Sequence, residues 1–223
     1  MDRRGKRKAL GLVSAVVLTA WVPYRAAEAE ELSAPVDNLF PHVTLDIPCF
    51  DQDPGGDNFP CQTDSAGLVY YIQSSVDIGD STQLGTRRVV KTMTEQFDPT
   101  HLVVTRTSNP TYTGTGITDI IFQKSSVGFE GSTIGFTWCD DALDGYRCDQ
   151  QYVRFKHDPN VFFPDRALIC HEAGHAVGLL HGNDSYPFTS NTSTSVNGCM
   201  VTPHNSTVNW LSSTSIYNIN GEW

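Results

Sequence analysis

His171-Glu172-Ala173-Gly174-His175-Ala176-Val177-Gly178-Leu179-Leu180-His181 decides how the rest of the chain is read. The pattern is H-E-x-x-H-x-x-G-x-x-H. On a helix, His171 and His175 stand at i and i+4, share one face and can reach one metal ion. Gly178 tolerates backbone angles that other residues resist, so the chain can leave the helix there and bring His181 round as a third imidazole. Three imidazoles leave one position of a tetrahedral zinc open, the catalytic rather than the closed structural arrangement. Glu172 follows the first ligand and points elsewhere, where it can serve as general base to a zinc-bound water. The plainer alternative is a buried helix with incidental histidines. Against it, three of the chain's seven histidines fall in this one stretch, beside the glycine.

The start of the chain reads differently. Arg3, Arg4, Lys6, Arg7 and Lys8 precede an apolar run from Ala9 to Val22, and Ala27-Glu28-Ala29 fits an A-x-A cleavage site. Residues 1–29 are therefore predicted to be a secretory signal peptide, since the run is too short to span a membrane. Six of the 15 basic residues and two of the 25 acidic ones lie in that segment. The remainder carries 9 against 23, a net of −14. Such a charge argues against nucleic acid or an anionic membrane as partner, and suits a soluble, secreted, extracellular protein, expected as a monomer.

All six cysteines lie beyond the signal: Cys49, Cys61, Cys139, Cys148, Cys170 and Cys199. An even number in an exported chain suggests three disulfides, with fifteen pairings open. Closeness in sequence favours Cys49–Cys61 and Cys139–Cys148, leaving Cys170–Cys199. Asp51, Asp53 and Asp57 in a Gly-rich loop are candidate ligands for a structural Ca2+.

Along the chain, residues 30–64 show little periodicity and read as a lead-in or short pro-segment. Strands are predicted over 68–75, 101–107, 118–123, 132–139 and 152–156, with an acidic loop before the last. A helix is predicted over 82–96, capped by Asp80 or Ser81. The metal helix starts at Pro164 or Asp165, a polar loop covers 185–195, and a final helix spans 213–220.

The zinc pattern resembles the signature of the metzincin endopeptidases. That family also requires a methionine in a tight turn after the third histidine, and Asn197-Gly198-Cys199-Met200-Val201-Thr202-Pro203 offers one. Leu68–Ile72, Val89–Met93 and Thr118–Phe122 resemble the first strand, first helix and third strand of the matrixin-type catalytic domain. Leu211–Asn220 resembles its closing helix. The resemblance covers about residues 65–223, and small secreted bacterial members are the most similar in character.

The resemblance implies an α+β, zincin/metzincin-like fold. Its twisted mixed sheet would have about five strands, with a first helix, the zinc-binding helix and a C-terminal helix. It implies a secreted zinc endopeptidase acting on extended polypeptides laid beside the edge strand near Thr133–Trp138. His171, His175 and His181 would be the metal ligands and Glu172 the catalytic base. Met200 would be the apolar floor, and a Cys170–Cys199 bridge would fasten that floor to the metal helix. Asp140, Asp141, Asp144 and Asp149 lie where matrixin-like domains carry structural calcium. His204 falls on the wall of the primed-side pocket, and Thr202 stands where some relatives have a metal-contacting tyrosine. A latch made by a Cys49 thiolate would leave Cys61 unpaired. The competing class is a secreted zinc-binding or adhesion module without hydrolytic activity, for which Glu172 would have no use.

Overall fold

Runs of β-branched and aromatic residues become the strands of one sheet in a computed structural model of the chain, which describes residues 35–43, 48–54, 61–157 and 163–223. All of these fall in one compact unit, Ala34–Trp223. The predicted signal peptide and Asp57 lie outside the described residues. The elements in chain order are β1 (Gln62–Thr63), β2 (Val69–Ile72), α1 (Leu84–Phe97), β3 (Thr105–Arg106), β4 (Ile120–Ser125) and β5 (Gly135–Ala142). β6 (Arg147–Lys156), α2 (Arg166–Ala176), α3 (Thr194–Asn197) and α4 (Ser213–Glu222) follow. The strand order is β1-β6-β4-β2-β3, all neighbours parallel, and β5 runs antiparallel against β6. The sheet is mixed, with six strands where about five were expected. The extra one is β1, whose two residues pair with Arg147 and Cys148.

Ile120, Ile121 and Phe122 of β4 are all fully buried, as a central strand covered on both faces requires. Ile120 and Phe122 pack with Tyr70 and Ile72 of β2, Val89, Met93 and Phe97 of α1, and Ile169 and Ala173 of α2 in the main core. A smaller cluster joins Phe40, Leu180 and four cysteines.

Several boundaries move for identifiable reasons. β6 is twice as long as expected and starts inside the predicted acidic loop. Asp144 closes the β5–β6 hairpin there, accepting from the Tyr146 and Arg147 N–H groups at 2.8 Å and pairing with the Arg147 guanidinium at 2.7 Å. A Cys139–Cys148 bridge spans the same hairpin. α1 starts at Leu84, after Gln83 in a left-handed conformation (φ 53°). Asp80 still satisfies this helix end from outside, accepting from the Leu84 N–H at 2.6 Å, while Asp77 takes the Thr86 N–H at 2.9 Å. β3 shrinks to Thr105–Arg106, though Leu68 and Val103 continue its pairing with single backbone bonds. The 3-10 turn Ser74–Asp77 ends β2 earlier than expected. No helix among the described residues is long and apolar enough to cross a membrane.

Candidate metal centre

α2 is built to be rigid. Asp165 caps it, accepting from the Leu168 N–H at 2.8 Å, and nearly every residue from Ala167 to Ala176 is buried. It ends where the glycine of the motif turns. Gly178 has φ +94°, its N–H reaches the His175 carbonyl, and the Leu179 N–H reaches the Gly174 carbonyl, both at 2.9 Å. This paired bonding with a left-handed glycine is the Schellman arrangement. It reverses the chain within three residues of His181.

The three histidines converge. Their Nε2 atoms lie 3.1 Å from one another in every pairing. His171 Nδ1 lies 2.8 Å from the Cys199 carbonyl, and His175 Nδ1 lies 2.8 Å from the Leu179 carbonyl. A carbonyl only accepts, so both Nδ1 atoms carry the proton, and in the neutral rings both Nε2 atoms are bare. Two bare lone pairs facing each other at 3.1 Å repel unless a cation lies against them. Nitrogens on a tetrahedral zinc with bonds of about 2.0–2.1 Å stand about 3.3–3.4 Å apart, so the trio fits such an ion. Burial pushes the His171 ring down to about 4, with the neighbouring His181 adding to the shift. It also pushes His175 well below the ordinary range and lowers His181. All three shifts favour the neutral ring, the form that binds metal.

Glu172 lies between the first two histidines, against β5. Its Oε2 is 2.9 Å from the Thr137 hydroxyl, which is also 2.9 Å from the Glu172 backbone carbonyl. Burial pushes the carboxyl up to about 8, against the Thr137 hydrogen bond. A dication on the adjacent imidazoles would favour the charged carboxylate. Gly135 makes room for it, because a Cβ there would stand 2.6 Å from Glu172 Oε1. Beneath the helix, fully buried Met200 packs on Gly174, where a Cβ would run into the methionine sulfur. Cys170 and Cys199 are bridged, with their Cα atoms 5.9 Å apart. The bridge therefore holds the carbonyl that orients His171.

Cys49 is bridged to Cys61, leaving no thiolate for a latch. His204 Nε2 lies 3.2 Å from Asp165 Oδ1, tying the segment after Met200 to the start of α2. Of the acidic residues considered for calcium, Asp144 is engaged in its hairpin, and Asp51 accepts from the Ala142 N–H at 2.7 Å. Asp149 instead meets Asp64 and Asp119, with one carboxylate oxygen from each within 4.8 Å of the others. Burial pushes Asp119 up to about 7 against the hydrogen bond from the Val69 N–H, and the Asp64 carboxyl beside it pushes the same way. Thr137, Gly135 and the two anchoring carbonyls were not found from sequence. Their roles depend on which part of β5 and of the Met200 turn faces α2, and no local pattern encodes that.

No family model and no curated protein matches the chain. Among solved structures, it is similar to the crystal structure of metalloproteinase-II from Bacteroides fragilis, with 14% identity and a TM-score of 0.41. The match covers 78% of this chain and 56% of that one, so the chain spans little more than half of that protein's length.

Proposed function

We propose that the chain is a secreted zinc-dependent endopeptidase of metzincin type, with a matrixin-like catalytic domain acting on extended polypeptides. The observation that carries this reading is the trio of Nε2 atoms at 3.1 Å, two of them necessarily bare, beside the buried carboxylate of Glu172. His171, His175 and His181 would hold zinc, which when bound supplies a Lewis acid for the scissile carbonyl and the attacking water. Glu172 takes a proton from that water as its oxygen adds to the carbonyl carbon. The same carboxyl returns the proton to the amide nitrogen as the C–N bond breaks, leaving a new carboxyl and a free amine. Thr137 holds Glu172 in place for both transfers. β5 pairs with β6 alone among the described strands. Residues 51–52 engage its far end, where the Cys139 carbonyl accepts from the Gln52 N–H and the Ala142 N–H donates to Asp51, so a substrate strand would add beside Gly135–Trp138.

A zinc-binding module without hydrolysis would need the histidines alone. Burying Glu172 costs stability, and metal retention does not require that carboxylate. Its placement against the trio favours the enzyme. Casein incubated with the purified chain beginning at Glu30 tests the reading. Internal cleavage that stops on adding a zinc chelator and returns with zinc is expected. Intact casein in the presence of a folded, zinc-loaded chain refutes an endopeptidase.

A further inference from the structure

His171 and His175 are each aimed by a carbonyl on Nδ1. Among the described residues no carbonyl accepts from His181 Nδ1, while the backbone that carries this ring is held on both sides. That backbone is braced by residues 37–40, within the stretch that reads from sequence as a lead-in. The Leu180 N–H, one residue before His181, donates to the Asn38 carbonyl at 2.8 Å. The Phe40 N–H donates to the Gly178 carbonyl at 2.9 Å, and Asp37 and Tyr186 exchange two backbone bonds at 2.7 Å. The turn is thus held before and after the histidine.

Asn38 is fully buried, and its side chain is held by α4. Its Oδ1 accepts from Asn218 Nδ2 at 2.8 Å, and its Nδ2 donates to Ser215 Oγ at 3.3 Å. Asn218 also donates to the Val36 carbonyl at 3.0 Å. A buried amide must be paired, and here its pairing fixes the position of its own carbonyl. We infer that Asn38 is a positioning residue for His181, transmitting the position of α4 to the third imidazole through the Leu180 N–H. This rests on the histidine trio being a metal site, as proposed above. It also makes residues 37–40 part of the working enzyme rather than a removable pro-segment.

The test uses the chain from Glu30, stripped with chelator and titrated with zinc against a chromophoric competitor. Removing an outer-shell partner typically weakens a metal site about 10- to 100-fold. Asn38→Ala should therefore weaken zinc at least about tenfold and alter the visible spectrum of the cobalt-substituted protein. Its far-UV circular dichroism should remain that of the parent. A purely structural Asn38 would lower the unfolding temperature of the zinc-free chain and leave zinc affinity and the cobalt spectrum alone. If Asn38→Ala does not fold, Asn218→Ala, which removes one anchor of the same side chain, is read in the same way. Zinc affinity within twofold of the parent in a folded variant overturns the inference. A parent chain that binds no zinc overturns the proposed function itself, and that result is seen before any variant is made.

Discussion

In the proposed reaction His181 and Glu172 would do different jobs, and their variants should fail differently. His181→Ala leaves two imidazoles, a poor zinc site, so elemental analysis after gel filtration should find most of the metal lost. Glu172→Gln keeps the shape and cannot accept the proton. Its casein hydrolysis should fall at least about 100-fold with zinc still bound. Activity within tenfold of the parent would mean that Glu172 has another role. Gly174→Ala drives a Cβ into the Met200 sulfur and should cost about 1–3 kcal/mol in denaturant unfolding. The trio and Glu172 were legible in sequence because their spacing is itself the geometry: one helical turn, then a glycine. Asn38 and Thr137 were not, because each reaches the site through a partner far away in the chain.

At the scale of elements, α2 and the Met200 turn work as one piece joined by Cys170–Cys199. Cys49–Cys61 and Cys139–Cys148 match the pairs that closeness in sequence favoured, since their loops are short enough to close locally, and Cys170–Cys199 is the pair that remained. Replacing both Cys170 and Cys199 by Ser opens a loop of 29 residues and should cost about 3–4 kcal/mol. It should also loosen the carbonyl on His171 Nδ1 and weaken zinc. Mass mapping of an unreduced digest should recover the Cys170–Cys199 peptide pair, and a free Cys170 thiol would contradict this arrangement. The strands were legible where side chains alternate or run apolar, as in β2 and β4. β1 was missed because two residues form no pattern. The N-terminal half of β6 was missed because its polar residues read as loop, while the hairpin and disulfide hold them in the sheet.

At the scale of the molecule, a buried carboxyl leaves a mark on pH dependence. Burial pushes the Asp119 carboxyl from its ordinary 3.8 up to about 7 in the folded chain. Between those values the folded chain keeps a proton that the unfolded chain has released. This group's contribution to stability therefore falls as pH rises from about 4 to about 7. Asp119→Asn cannot ionise and still accepts from the Val69 N–H. In calcium-free buffer its unfolding midpoint relative to the parent should rise across that window, and a difference independent of pH would contradict the assignment. Export is tested by N-terminal sequencing of the secreted protein, with a start at Glu30 expected. A start beyond Phe40 would remove the brace on the His181 turn. The zinc content of the chain, purified without chelator from zinc-containing medium, tests the metal centre itself. One zinc per chain, lost in His181→Ala, is the expected result. A folded parent chain carrying no zinc, and taking up none on titration, would contradict it.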